Sequence, residues 1–100
     1  MATISGDIIA SYAADAAREV AGVAGLVEST LPRHKGVRLL EEDGGVRVEL
    51  HVRVDWGASI PTVGAEIQRR VAAYLGRMTE TRLEGVDVVV DEIGPIQPAD

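Results

Sequence analysis

Residues 46–55 alternate between apolar and charged side chains, and the charged positions could support chemistry. On a β-strand, Arg47, His51 and Arg53 share one face, with Glu49 among them. A histidine close to carboxylates can bind a metal ion or transfer protons in acid–base catalysis. Either kind of site needs further ligands or a reactive group nearby, which other parts of the chain would have to supply.

Those further groups are missing from the sequence. The chain has no cysteine and only two histidines, His34 and His51, without the HxH or HExxH spacing of metal sites. We expect both histidines to be solvated. None of the four serines lies in a GxSxG motif, and no GxxxxGK[ST] phosphate loop occurs. The sequence therefore predicts no catalytic residue, metal or cofactor, and it favours a module that is not an enzyme. An unrecognised enzyme or small-ligand binder is the remaining alternative in that class.

Composition narrows the class of partner. The chain has 100 residues and a net charge of −6, and 46% of its residues are hydrophobic. This length predicts a single domain over residues 1–100, with residues 1–4 and 95–100 frayed. The negative charge disfavours nucleic acid and direct docking on anionic lipid. No secretory leader and no apolar run of about 18 residues is present, so we expect a cytoplasmic protein without membrane insertion.

Three strands are predicted, with a short extended segment before them at residues 23–30. The strands cover residues 37–41, 46–55 and 86–93, and the sequence Glu-Asp-Gly-Gly at residues 42–45 indicates a hairpin between the first two. Asp87 and Asp91 share one face of the last strand and are candidates to pair with Arg47 or Arg53. We expect Leu40 and Val89 to lie on that charged face as well.

Two helices are predicted, over residues 5–21 and from Ser59 to residues 78–79. Ser5 and Ser59 are the expected N-caps, and Gly22 is expected to terminate the first helix. Apolar side chains recur at helical spacing in both. In the first helix these are Ile8, Ile9, Tyr12, Ala13, Ala16, Ala17 and Val20. In the second they are Ile60, Val63, Ile67, Val71, Tyr74, Leu75 and Met78.

These elements predict an α+β domain of order α-β-β-α-β, with a three- to four-stranded mixed sheet and both helices on one face. Trp56 lies where a strand meets the second helix. Burial in the core is the favoured interpretation for its side chain, and an exposed interface anchor is the alternative. Together with Arg47, His51 and Arg53 on the charged face, Trp56 completes the set of candidate partner-binding residues.

A GxxG sequence at residues 22–25 raises a second hypothesis, a KH-like nucleic-acid-binding domain. In KH domains this loop joins two helices and has basic neighbours. Here it follows the first helix and leads into an extended segment, with Glu19 and Glu28 nearby. A helix terminus followed by a turn is the favoured interpretation.

Four segments in order resemble the bacterial alkaline shock protein family, also called the envelope stress response family, over residues 4–93. They are residues 19–26 (EVAGVAGL), residues 46–57 (VRVELHVRVDWG), residues 59–79 with their SIP, EIQ and MT sequences, and residues 86–90 (VDVVV). Ala21 replaces a proline that is frequent in the family, and Glu80 replaces a glycine.

The resemblance implies a non-enzymatic cytoplasmic protein that takes part in the envelope stress response and cell-envelope homeostasis. It also implies a scaffold that self-associates or docks on a small membrane-anchored protein. Such a partner would hold the chain peripherally at the inner face of the membrane. The family provides no active-site residues to transfer to this sequence.

Overall fold

The fold was analysed in a computed structural model that describes residues 6–28 and 36–94. Within them the elements are α1 (Gly6–Arg18), β1 (Val23–Leu26), β2 (Val37–Glu42), β3 (Gly45–Val54), α2 (Ile60–Met78) and β4 (Leu83–Ile93). The α+β prediction is confirmed, and the extended segment after the first helix is a strand. Ser5, His34 and the termini expected to fray lie outside the described residues.

Strand β3 is the centre of a four-stranded mixed sheet. Its first half pairs antiparallel with β2, with Leu50 beside Val37. Its second half pairs antiparallel with β1, with Val52 beside Leu26. On its other side, β3 runs parallel to β4, with Leu50 beside Val88. The strands β1 and β2 therefore share one side of β3, and β4 forms the opposite edge of the sheet.

The hairpin between β2 and β3 has a two-residue turn. Asp43 and Gly44 both adopt positive φ angles, of 48° and 82°. Two consecutive left-handed residues are the requirement of a type I′ turn, whose twist matches that of the flanking strands. Asp tolerates this conformation better than most residues with a side chain, and Gly adopts it freely. The predicted hairpin is confirmed.

One face of the sheet carries the core. The side chains of Val48, Leu50, Val52 and Val54 are fully buried under both helices. Helix α1 presents mainly alanines to this core, which allow its backbone to approach its neighbours closely. The Tyr12 and Tyr74 rings meet edge to face, 5.6 Å between centroids, and join α1 to α2.

Helix α1 ends earlier than predicted. Its last residue is Arg18, and the N–H groups of Glu19 and Val20 donate to carbonyls three residues before them. Such i to i−3 bonds tighten the last turn of a helix. Gly22 has the predicted left-handed conformation, at φ 97°, but turns the chain toward β1 four residues after the helix ends. Helix α2 ends at Met78, with Thr79 as its C-cap, as predicted.

The start of α2 follows the sequence expectation. The Ser59 hydroxyl oxygen accepts a hydrogen bond from the Thr62 N–H, and Pro61 lies in the first turn, where no N–H is needed. Neither helix within residues 6–28 and 36–94 combines the length and apolar character needed to cross a bilayer.

The expected burial of Trp56 is wrong, since 68% of this residue is exposed. It lies in the turn after β3, beyond the end of the sheet, where neither helix covers it. Three residues assigned to the apolar stripes, Ile8, Ile60 and Met78, are also exposed. Ile60 and Met78 lie at the two ends of α2, where the helix extends past the sheet, and Ile8 lies near the start of α1.

Candidate interaction surface

The face of the sheet opposite the helices, called here the open face, carries the charged side chains of β2, β3 and β4. Arg47 lies at its centre: Nε donates to Glu42 Oε1 at 3.1 Å, and Nη1 donates to Asp87 Oδ1 at 3.2 Å. The hydrogen bond with Glu42, and then the negative charges of Glu42 and Asp87, raise the pKa of Arg47 above its ordinary value. Arg47 thus links three strands.

His51 lies between two carboxylates. Its Nε2 is 2.5 Å from Glu49 Oε2, and its Nδ1 is 2.8 Å from Asp91 Oδ2. Only 13% of its side chain is exposed, so the expectation that His51 is solvated is wrong. Each ring nitrogen of His51 therefore faces a carboxylate oxygen of the same sheet, one from β3 and one from β4.

The arrangement around His51 limits its chemistry. Glu49 and Asp91 contact opposite edges of the ring, so their oxygens diverge and do not converge with a ring nitrogen on one point. Within residues 6–28 and 36–94, no three His, Asp or Glu side chains are placed to hold a metal ion. In a nucleophilic triad the second ring nitrogen faces a hydroxyl or thiol. Here it faces a carboxylate, so the contacts favour a structural link between strands.

Arg53 lies farther along the same face. Its Nε donates to Glu92 Oε1 at 2.8 Å, which is the cross-strand pairing that the sequence suggested for this arginine, with Glu92 in place of an aspartate. Arg38 of β2 approaches Glu49 at 3.8 Å. The structure therefore brings Arg47, His51 and Arg53 onto one face as predicted, and it pairs each of them with carboxylates of the same sheet.

Two apolar side chains interrupt these charges, as the sequence suggested. The register pairs Leu40 with Arg47 and Val89 with His51, which places both apolar residues on the open face. Leu40 is half-buried and Val89 is exposed. They lie on opposite sides of β3, so the charged residues of β3 separate them.

Trp56 differs from the other three candidates, whose side chains are paired with carboxylates. Among the described residues no hydrogen bond or ring contact involves its indole. Ile60, at the start of α2, is 40% exposed, and Ile93, paired with Val54 at the end of β4, is 49% exposed. All three lie at the end of the sheet where β3 and β4 finish. We call Trp56, Ile60 and Ile93 the apolar end.

Local sequence patterns do not distinguish Ile60 and Ile93 from core residues. Ile60 matched the helical stripe, and Ile93 ended an apolar strand, so both patterns were those of core residues. Their positions at the ends of α2 and β4 were the available signal, because terminal residues extend past the neighbouring element that would cover them.

A second charged cluster lies on α2. Glu66 accepts hydrogen bonds from Arg69 and from Arg70 Nε, the latter at 2.9 Å. The bonds from Arg69 and then Arg70 lower the pKa of the Glu66 carboxyl below its ordinary value. These pairs lie three and four residues apart on the helix, the spacing at which side chains meet.

The GxxG segment does not join two helices. Gly22 turns the chain after α1, and Gly25 lies within β1, beside Arg53. A Cβ at Gly22 would approach Val63 Cγ2 at 2.7 Å, whereas one at Gly25 would meet nothing within 4 Å. The first glycine is thus explained by a tight turn against α2, as the favoured interpretation requires.

A family model for the alkaline shock proteins, described as having a cell envelope-related function, matches residues 1–95 of the chain. The chain is 30% identical over 95 residues to the uncharacterized protein YqhY of Bacillus subtilis, a match covering 85% of this chain and 70% of YqhY. It is 37% identical over 60 residues to the uncharacterized protein Spy1535 of Streptococcus pyogenes serotype M6. That match covers 59% of this chain and 46% of Spy1535, so it spans less than half of the streptococcal relative.

Solved structures of MamM-CTD share the fold. One variant superposes with a TM-score of 0.61 at 20% identity, covering 91% of this chain and 100% of that domain. A second gives a TM-score of 0.60 at 19% identity, with coverage of 91% and 100%. A manganese form gives 0.57 at 20% identity, with coverage of 88% and 99%. At such identities the similarity shows the fold alone.

Proposed function

The chain belongs to the alkaline shock protein family, whose function is related to the cell envelope, and on that premise we propose that it is a non-enzymatic scaffold or interaction module in the envelope stress response. It acts in the cytoplasm by docking on a membrane-anchored protein or by self-association. The docking partner holds it at the inner face of the membrane. Trp56 is the anchor of the docking site.

The exposure of Trp56 carries this proposal. Tryptophan is enriched among the residues that dominate interface energetics, because its large ring loses much water-exposed area when a pocket encloses it. In this chain Trp56 is 68% exposed and lies at the same end of the sheet as two further exposed residues, Ile60 and Ile93. Arg47, His51 and Arg53 are already paired with carboxylates, so a partner would have to displace those contacts to use them.

Charge specifies the chemistry of the partner. The chain has a net charge of −6, and the acidic residue Asp55 directly precedes Trp56. A partner segment with apolar side chains and neighbouring lysines or arginines would match both features. Long-range attraction would accelerate its association at low salt, and the exposed indole would supply most of the affinity.

The test begins with crosslinking of the tagged full chain in its host, followed by purification of the captured membrane protein. Trp56 is the only tryptophan in the chain, so its fluorescence reports directly on the proposed site. Binding of the purified partner should shift the emission to shorter wavelength as the indole leaves water. Trp56→Ala should weaken binding at least tenfold, measured by calorimetry.

Met78→Ala is the matched control, because Met78 is exposed at the opposite end of α2. It should bind the partner as the unchanged chain does. Capture of only RNA or a metabolite would overturn the proposal and revive the nucleic-acid or small-ligand alternatives. Equal affinity of the Trp56→Ala and Met78→Ala variants would remove Trp56 from the site.

A further inference from the structure

The backbone groups of β3 point alternately to its two sides, toward β4 on one side and toward β1 and β2 on the other. The Val46 N–H donates to the Arg82 carbonyl at 2.8 Å, on the side of β4. The His51 N–H donates to the Gly36 carbonyl at 2.9 Å, on the side of β2. The N–H and C=O of one strand residue point to the same side, and those of the next residue point to the other. Even-numbered residues of β3 from Val46 to Val52 therefore bond toward β4.

This alternation determines which groups of β4 reach the open edge of the sheet. The parallel register sets Leu50 beside Val88. In a parallel pair, a residue that faces its neighbour strand bonds to the two residues flanking its register partner. Leu50 therefore bonds to Asp87 and Val89. The N–H and C=O groups of Val86, Val88 and Val90 point away from β3, toward the edge.

A side chain of α2 supports this assignment independently. Gln68 Nε2 donates to the Val86 carbonyl at 2.9 Å, which requires that carbonyl to be accessible from outside the sheet. Among the described residues, the edge groups of Val88 and Val90 have no hydrogen-bond partner. An unpaired strand edge of this kind is a template for another strand.

We propose that this edge pairs with the same edge of a second copy, antiparallel and centred on Val88. Val88 then exchanges two hydrogen bonds with Val88 of the other copy, and Val86 pairs with Val90. The interface is isologous, so each copy contributes the same surface. The inference deepens the proposed function, on which it rests, by naming β4 as the surface for self-association.

Charge disfavours two neighbouring registers. Centred on Val88, the pairing places Asp87 opposite Val89 of the second copy, and no two carboxylates face each other over residues 86–90. Glu84 and Glu92 face each other only at the ends of β4, at and beyond the irregularities in its register with β3. A pairing centred on Val89 would place Asp87 opposite Asp91 of the second copy. A pairing centred on Asp87 would place Asp87 opposite Asp87 of the second copy. Like charges in directly opposed positions destabilise a strand pair.

The regular part of β4, between its two register irregularities, lacks the usual protection of an edge strand. Charged side chains and prolines discourage strand addition, but residues 86–90 contain no proline or lysine. Their one charge, Asp87, is 3.2 Å from Arg47, and the next carboxylate, Asp91, is 2.8 Å from His51. These carboxylates are therefore compensated within each copy before a second strand approaches.

A second copy also fits the side chains along the edge. A two-fold axis through Val88, perpendicular to the sheet, places the helices of both copies on the same face. The half-buried Val88 and Val90 side chains then meet the equivalent valines of the other copy. A foreign strand would have to supply the same alternation of apolar and polar residues by its own sequence.

Gln68 modulates the pairing. In the proposed register the Val86 carbonyl also accepts from Val90 of the second copy, so it is shared between that N–H and Gln68. Removal of the Gln68 amide would leave the carbonyl free for the second copy. Gln68→Ala should therefore lower the dimer dissociation constant or leave it unchanged. A general disturbance of the edge by this substitution would raise the constant instead.

The test measures the dimer dissociation constant of the full chain by sedimentation velocity over a wide concentration range. Val88→Pro should raise it at least tenfold, because proline removes an N–H that points to the edge and costs no bond to β3. Val89→Pro is the matched control for the side of β4 toward which each backbone N–H points. It removes an N–H that bonds to β3 and should lower the melting temperature far more than Val88→Pro.

Amide hydrogen exchange gives a second readout that needs no substitution. The Val88 and Val90 amides should become protected as the concentration rises, while Val89 is protected at every concentration. A monomer at all concentrations, or an unchanged dissociation constant in Val88→Pro, would overturn the inference. Protection of Val88 only when a different protein is added would overturn it as well.

The docking role and the dimer can fail separately. If partner binding through Trp56 persists in a monomer, this inference alone fails. Loss of partner binding with the dimer intact would refute the docking role.

Discussion

His51 Nδ1 lies 2.8 Å from Asp91 Oδ2, which joins β3 to β4 on the face of the sheet opposite the helices. The two residues are 40 positions apart in sequence, with the whole of α2 between them. Because the other ring nitrogen of His51 contacts Glu49, the imidazole is fixed at both edges. A residue that could have been a proton-transfer group is thus held as a cross-strand link.

The first prediction concerns this link. His51→Leu removes the ring that contacts two carboxylates and should lower the free energy of unfolding by about 1–2 kcal/mol, measured by urea denaturation. Arg53→Leu is the control, because its pair with Glu92 is more exposed, and it should cost under about 1 kcal/mol. The effects of His51→Leu and Asp91→Asn should be less than additive. Strict additivity would show that the contact does not contribute to stability.

The second prediction concerns the core. Leu50 is fully buried beneath both helices, so Leu50→Ala leaves a cavity and should cost about 2–5 kcal/mol of unfolding free energy. Leu40→Ala makes the same chemical change at a half-buried position on the open face and should cost less than half as much. Similar losses in thermal or urea unfolding would contradict the assignment of the two faces.

The third prediction separates the two glycines of the GxxG segment. Gly22→Ala combines a φ of 97° with a Cβ 2.7 Å from Val63, so it should lower the free energy of unfolding by about 2 kcal/mol or more. Gly57→Ala has φ 89° but open space around its Cβ, and it should cost about 1–2 kcal/mol from the backbone alone.

Gly25→Ala is the control within the same segment. No atom lies within 4 Å of its Cβ and its φ is not positive, so its stability should stay within about 0.5 kcal/mol of the unchanged chain. A loss at Gly25 as large as at Gly22 would mean that the segment needs both glycines for a reason other than the turn against α2.

The fourth prediction concerns pH. Arg69 and Arg70 lower the pKa of Glu66, so the folded chain binds a proton at this carboxyl less readily than the unfolded chain does. The stabilisation is present above the ordinary carboxyl pKa of 4.5 and is lost as the pH falls through the lowered value. Glu66→Gln should therefore be less stable than the unchanged chain at pH 7, and the difference should shrink in acid.

Salt provides the control for that measurement. The side chains of Glu66, Arg69 and Arg70 are partly exposed, so about 1 M salt should screen their attraction and reduce the difference at pH 7. A difference between the two proteins that is the same at pH 7 and in strong acid would show that the carboxylate charge is not the cause.

The sequence by itself determined the elements and their inner faces. The alternation in residues 46–54 placed Val48 and Leu50 in the core, and the sequence Glu-Asp-Gly-Gly required the hairpin, because both signals depend on local geometry. Ser59 and Pro61 likewise located the start of α2. The similarity of four ordered segments to a known family was also evident from the amino-acid sequence alone. The family match over residues 1–95 confirms it.

Tertiary structure alone decided which residues are covered and which are paired. Trp56 matches a core residue by type, yet the turn carries it beyond the sheet, and the position of neighbouring elements cannot be read from local spacing. The pairing of His51 with Asp91 depends on the parallel register across 40 residues. The open edge of β4 depends on the direction in which each backbone group of β3 points. Burial, register and edge exposure are relations between distant segments, and only the assembled fold defines them.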